Sequence, residues 1–298
     1  MAVTVTAEAV KALRERTGAG MMECKKALVE ANGDLEAAAE AMRKSGLAKA
    51  DKKAGRIAAE GVIAFDRSAD GRTVAVVEVN SETDFVAREK DFQGFAAAVA
   101  KVALEAKPAD LEALNAAKLP SGKTVEETRR ELIARIGENI GVRRFEIVSS
   151  NAPVATYLHG SRIGTAVVIE GGDAQLGHDL AMHVAAINPQ YLSSAEVPTD
   201  QVEKEREIFV AQAATDPKLA GKPKEVLLKA TEGKLRKYLG EITLLGQPFV
   251  KDDKQSVAQV LKQANARVLR FVRYEVGAGI EKKQENFAAE VMAQVRGA

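Results

Sequence analysis

The hydrophobic pattern predicts an α+β protein whose core is one strand, strand, helix, helix, strand unit used twice, with antiparallel sheets. Three observations carry this. Small and β-branched residues over 61–65 and 73–79, joined through Asp70-Gly71, read as a β-hairpin. Phe92, Phe95, Val99 and Val102 then recur at three- and four-residue spacing, which is a helix face. The same succession returns after residue 151, and its register shows in the residues: Asn139, Val142, Arg144 and Phe145 correspond to Asn265, Val268, Arg270 and Phe271. Such self-similarity marks an internal duplication.

Ahead of the core, residues 1–46 read as a small three-helix module. Thr6 can cap a first helix carrying Val10 and Leu13, Gly18 and Gly20 break it, and Met21, Cys24 and Leu28 mark a second. Asn32-Gly33-Asp34 is a turn and cap before Leu35, Ala38, Ala39 and Met42 on one face. Three helices this short make a marginal core. The adjacent Met21 and Met22 cannot both lie on one buried stripe. A Met pair is ordinarily core filler, and its alternative is an adaptable contact surface. Cys24 reads as a small buried hydrophobe, with no His nearby to activate it. Residues 47–60, carrying Lys49, Lys52, Lys53 and Arg56, read as a linker, either a frayed helix or a tether, with a solvated charged face.

The first core half, 61–150, continues with a helix expected over 84–104. A second helix starts at Thr124, where Glu127 completes a capping box, and runs through Leu132, Ile133 and Ile136. A strand over 142–148 closes this half. The second half, 151–192 and 246–276, repeats the order: a hairpin of 154–158 and 165–169 around Gly160-Ser161-Arg162, then a helix with Leu176, Leu180, Val184 and Ile187 stopped by Asn188-Pro189. A helix over 256–263 and a strand over 268–274 complete it. Between the two parts, 193–245 is an insertion with helix-prone segments 199–214 and 223–239. Leu228, Thr231, Leu235, Tyr238 and Ile242 follow the alternation of a coiled-coil seam. An antiparallel helical hairpin follows, which buries little by itself and is expected to pack on something else, such as a second copy. Residues 277–298 are expected to form a C-terminal helix, with Phe287, Val291 and Val295 at four-residue steps.

Composition narrows the function classes. The 298 residues are long for one core; 46% are hydrophobic and 29% charged, as in soluble globular proteins. No apolar run approaches a membrane span and no charged-then-apolar leader opens the chain, so a cytoplasmic protein is expected. Cys24 is the one cysteine, which excludes an internal disulfide. A net charge of +1, no Trp and 4% aromatics argue against a dedicated nucleic-acid binder.

Catalytic constellations are hard to find. His159, His178 and His183 do not lie at metal-ligand spacing with Cys or a second His on one face, so neither metal nor cofactor is expected. His183 shares the apolar face with Leu180 and Ile187 and reads as a satisfied core residue. His178 sits near a helix start and is expected to be exposed, and His159 lies at a hairpin tip where it could touch a partner. Ser121-Gly122-Lys123-Thr124 resembles the end of a phosphate-binding loop, but the first glycine would fall at Ala117 and no strand precedes it. The stretch from Asn80 to Val86 is different: it sets Asp84 and Phe85 at a strand-to-helix junction, a place that tends to be exposed. Either Phe85 tucks under the sheet while Asp84 caps the helix, or the pair projects as a working tip.

Several motifs in order now carry a family resemblance. Residues 17–28 (Thr-Gly-Ala-Gly-Met-Met-Glu-Cys-Lys-Lys-Ala-Leu), Thr83-Asp84-Phe85-Val86, residues 159–164 (His-Gly-Ser-Arg-Ile-Gly), residues 181–186 (Ala-Met-His-Val-Ala-Ala) and residues 246–250 (Gly-Gln-Pro-Phe-Val) resemble those of bacterial elongation factor Ts along essentially the whole chain. The resemblance implies a guanine-nucleotide exchange factor for elongation factor Tu in translation elongation, acting without catalytic residues of its own. It also implies an N-terminal module like a ubiquitin-associated domain. Thr83 through Val86 would intrude near the partner's magnesium site. His159 and the Phe249-Val250 segment match contact regions, with Met21 and Met22 as further contact candidates. The inserted hairpin resembles the family's long form, where it serves dimerisation. Lys251 stands where an apolar residue is expected.

Two other classes remain open on the residues alone. The linker lysines with Arg143-Arg144 motivate an RNA-associated protein, which a steep salt dependence would support. An enzyme is the other, for which no constellation stands out.

Overall fold

The hydroxyl of Thr6 accepts the Ala9 N–H and starts α1 (Ala7–Thr17), and Gly18 ends it in the left-handed conformation at φ 66°. The computed structural model describes residues 5–217 and 222–281, excepting the side chains of 47–49 and 51. With α2 (Met21–Glu30) and α3 (Leu35–Lys53), α1 encloses a small core of Val10, Leu13, Cys24, Leu28 and Ala38.

Of the two forms open to the expected linker, frayed helix or tether, its first part takes the helical one, because α3 continues past residue 46 to Lys53. Ala and Lys favour helix there, and a surface distant in sequence supports it. Gly46 lets the backbone come close: a Cβ at that position would lie 2.9 Å from Cβ of Ala134.

The chain forms two compact units, one comprising residues up to Asp66, Ala75–Glu146 and the chain from Glu275, the other Arg67–Val74 and Ile147–Tyr274. The first contains most of the sheet β1 (Glu60–Arg67), β2 (Thr73–Ser81) and β3 (Ile140–Ser149), in the order β1-β2-β3. The central strand β2 is buried at every position after Thr73.

A break at Arg88-Glu89 divides the helix expected over 84–104 into α4 (Asp84–Ala87) and α5 (Lys90–Ala106). Glu89 is extended at φ −68°, ψ 135°, and the Gln93 side-chain amide donates to the freed Ala87 carbonyl at 3.2 Å. Phe92, Phe95, Val99 and Val102 are all buried, as their spacing predicts. A short helix α6 (Leu111–Ala116), absent from the sequence reading, tucks Leu114 inside. Helix α7 (Val125–Ile136) opens with the capping box of Thr124 and Glu127.

The second unit repeats the plan. Strands β4 (Val154–His159) and β5 (Ile163–Glu170) pair antiparallel, Val154 opposite Val168 and His159 opposite Ile163. Helix α8 (Ala174–Ile187) follows, stopped by Asn188 in the left-handed conformation. The insertion supplies α9 (Thr199–Thr215) and α10 (Lys224–Ile242). A two-stranded ribbon of β6 (Pro248–Phe249) and β7 (Asp252–Ser256), then α11 (Val257–Gln263) and β8 (Arg267–Glu275), complete it, with sheet order β4-β5-β8. Val167, Leu180, Val184, Phe249, Val257, Leu261 and Val268 share the core. Two three-stranded sheets, each closed by a strand that follows helices, make the fold α+β and duplicated, as the sequence predicts.

Two expectations about the insertion change. Gln201 bonds Tyr238 at 2.8 Å and Arg206 faces Glu232 at 3.4 Å, so α9 and α10 run antiparallel and pack on each other. Thr231, Leu235 and Ile242 are therefore buried within the chain and need no second copy. Leu244, expected inside the insertion, is instead a fully buried core residue beside Tyr191, whose carbonyl accepts its N–H at 2.8 Å. The C-terminal helix expected around Phe287, Val291 and Val295 lies outside the described residues.

Candidate functional site

The tip at residues 82–87 is built from its root outward. Strand β2 ends at Ser81, whose hydroxyl donates to the Thr83 carbonyl at 2.9 Å. Thr83, not Asp84, is the N-cap of α4: its Oγ1 accepts the Val86 N–H at 3.4 Å. Val86 and Ala87 turn inward, leaving Phe85 on the outer side of a single helical turn, 76% exposed. Burial of such a ring is worth about 2–3 kcal/mol, which this position forgoes. Asp84 pairs with Arg88 one turn on, at 2.7 Å, and stays half-exposed. The alternative in which Phe85 lies under the sheet and Asp84 caps the helix is excluded.

Two carboxylates pin the root. Glu138 accepts the Thr83 N–H at 3.0 Å through Oε2 and the Thr83 hydroxyl at 2.7 Å through Oε1. Glu82 accepts the Asn139 N–H at 2.6 Å, and the Asn139 side chain donates to the Arg56 carbonyl at 2.7 Å. The tip is legible in the sequence; Glu138 and Asn139, more than fifty residues away, carry no local signal that ties them to it.

In the same unit, Met21 and Met22 open α2 and are 55% and 76% exposed while Cys24 and Leu28 face inward, so both methionines are on the surface. The second unit carries the remaining candidates. His159 is exposed at the end of β4, with Nδ1 3.2 Å from the Tyr157 hydroxyl; Tyr157 also meets exposed His178 edge to face. Val250 is on the surface, but Phe249 is not: its ring is buried and stacked on His183 at 6.0 Å, so it offers a partner no exposed ring. Lys251 uses its charge in an ion pair with Asp179 at 2.7 Å.

The model of the family described as Elongation factor TS matches residues 82–278, which begins at the tip and takes in Glu138, His159 and Val250. The chain belongs to the elongation factor Ts family. Proteins named Elongation factor Ts from Alkalilimnicola ehrlichii and Thioalkalivibrio sulfidiphilus are 59% and 58% identical to it, each match covering 99% of this chain and 100% of the relative. One from Legionella pneumophila subsp. pneumophila is 55% identical over 98% of this chain and 99% of the relative. The full-length matches also take in the module with Met21 and Met22. The chain is thus a translation elongation factor by family.

Electrostatics remove two other readings from prominence. Arg143 and Arg144, the basic pair that motivated RNA binding, turn onto the fully buried Glu78 at 3.0 and 2.6 Å. Burial pushes the Glu78 carboxyl up, but hydrogen bonds from the Gly277 N–H, Asn80, Arg144 and Arg143 outweigh it and hold the group below the usual carboxylate range. In the sequence that resembles a phosphate loop, Lys123 pairs with Glu131 at 2.7 Å and Thr124 caps α7. Among the described residues no three His, Cys, Asp or Glu side chains are placed to share a metal ion, and no helix is long and apolar enough to cross a membrane.

Proposed function

We propose that this member of the elongation factor Ts family is a guanine-nucleotide exchange factor, which binds elongation factor Tu in the cytoplasm and speeds GDP release by pressing its Phe85 tip beside the partner's magnesium and phosphate site. The observation that carries the reading is Phe85, 76% exposed on a root pinned by Glu138. A GTPase holds its nucleotide through phosphate contacts and a bridging magnesium ion. Loosening that grip needs a rigid apolar wedge and a docking surface, with no nucleophile or general base, so the reading assigns the chain no covalent step. Phe85 parts side chains near the pocket, and Asp84 competes for groups around the metal. Linkage makes the effect mutual: GDP weakens the partner's hold on this chain by the factor by which this chain weakens its hold on GDP.

Docking draws on Met21, Met22, His159 and Val250, all of which reach the surface. Self-association through the inserted hairpin is a second reading, favoured by Ile208, Val210, Val226 and Leu228 exposed on α9 and α10.

The test loads elongation factor Tu with fluorescent GDP and chases it with unlabelled nucleotide. Substoichiometric amounts of this chain should accelerate release over many turnovers and leave the final nucleotide occupancy unchanged. A release rate equal to that without the chain overturns the reading.

A further inference from the structure

The bracket under the tip is crossed. Thr83 gives both its N–H and its hydroxyl proton to Glu138, while Glu82 receives the N–H of Asn139 in return, at 2.6–3.0 Å throughout. Asn139 passes the connection on to the Arg56 carbonyl at 2.7 Å, and Arg56 itself lies 3.5 Å from Glu82. Beside them, Lys53 at the end of α3 donates to the Gly137 carbonyl. Three chain segments, around 53–56, 82–83 and 137–139, therefore meet at the root of the tip. Helix α4 has four residues and no stability as an isolated helix, since a first turn costs more order than its bonds return. Its direction is set by what holds Thr83, and a carboxylate gripping two donors at once fixes both position and orientation.

We propose that Glu138 is a positioning residue for nucleotide exchange, holding α4 so that Phe85 projects in the one direction that enters the partner, with Glu82 and Asn139 as the supporting half of the bracket. The proposal rests on the exchange-factor reading. A tip that samples several directions acts only for the fraction of time it is correctly placed, and its effect falls by that fraction.

The experiment measures maximal GDP release and half-saturating concentration for Glu138→Ala, Glu138→Gln, Thr83→Val and the Thr83→Val/Glu138→Gln double variant, with a thermal melt of each. Maximal release with Glu138→Ala should fall at least about ten-fold, because both charge-assisted hydrogen bonds from Thr83 are lost. Half-saturation should move less than about three-fold, because the other docking residues are intact. Glu138→Gln should recover part of the rate, its amide oxygen still accepting one Thr83 donor. The double variant should be no slower than Thr83→Val alone. Should Glu138→Ala fail to fold, Glu138→Gln and the double variant carry the comparison. Phe85→Ala separates the two levels: if it releases GDP at the native rate, the wedge at Phe85 is not what drives release, and that part of the reading fails together with the positioning role. If it is slow while the Glu138 variants keep the full maximal rate, or if the double variant's losses multiply, the positioning role is overturned alone.

Discussion

The backbone N–H of Val250 donates to Nδ1 of His183 at 3.1 Å. On the other side of the ring, Nε2 lies 3.0 Å from Oε1 of Gln247, an amide oriented by its own Nε2 donating to the Glu241 carbonyl at 2.7 Å. Nδ1 must therefore accept and Nε2 carry the proton, which is a neutral imidazole. A second proton on Nδ1 would face the Val250 N–H. Burial pushes the His183 pKa down, and the Gln247 contact opposes this only in part. A depressed folded value means the unfolded chain binds the proton first, so this share of stability is complete above about pH 6.5 and is lost as pH falls toward the folded value, at up to about 1.4 kcal/mol per pH unit. Urea midpoints at pH 7.5 and 5.5 should diverge more for the native chain than for His183→Gln. Equal divergence would show that protonation of His183 contributes nothing to the loss of stability at low pH.

Glu78 makes the opposite kind of buried group, charged and fully partnered. Replacing it by Gln should cost about 3 kcal/mol, toward the lower end for breaking a buried pair because Arg143 and Arg144 are partly exposed and can rehydrate. Its folded pKa is lowered, so its contribution is present above the usual carboxylate range and disappears as pH drops through the folded value. Chemical denaturation of Glu78→Gln at pH 7 and pH 4 checks this: the deficit should shrink at pH 4. A deficit under 1 kcal/mol at pH 7 would show that the network contributes little.

The outcome at these sites explains what the residues alone could and could not tell. Features written in local spacing emerged as expected: the α5 face of Phe92 and Val99, the Thr124–Glu127 box and the Asn188-Pro189 stop. Features decided by distant partners did not. Helix α3 outlasts its amphipathic pattern because Gly46 meets Ala134, and Phe249 is buried because His183 stacks on it. Arg88 and Glu89 are good helix formers, so nothing local marks the break that leaves α4 as a separate turn. The exposed half of the tip, Phe85, was legible; its anchor, Glu138, depends on a hydrogen bond spanning 55 positions.

Met21 and Met22 offer a surface prediction. Changing both to Ser alters side chains that are 55% and 76% exposed, so the melting temperature should shift by no more than about 2 °C, as for surface changes within about ±0.5 kcal/mol. The half-saturating concentration for GDP release should rise while the maximal rate persists. An unchanged half-saturation takes these residues out of the docking surface.

The inserted hairpin should be removable. The N–H of Gln190 donates to the Ile242 carbonyl at 2.9 Å and Tyr191 bridges Thr243, so the base of the insertion is closed by core residues. Replacing 200–238 with a short Gly-rich linker, which keeps Leu244 in place, should leave a folded protein of lower oligomeric mass. Sedimentation giving an unchanged mass would end the self-association role, and loss of cooperative unfolding would show that the core needs the hairpin.

The most direct test measures, for Phe85→Ala, a thermal melt beside the rate of GDP release from elongation factor Tu. Because the ring is 76% exposed, stability should change by about 0.5 kcal/mol or less. Stimulated release should fall by roughly thirty- to a thousand-fold, the ~2–4 kcal/mol of an interface hot spot. A variant that melts normally and still releases GDP at the native rate would contradict the account.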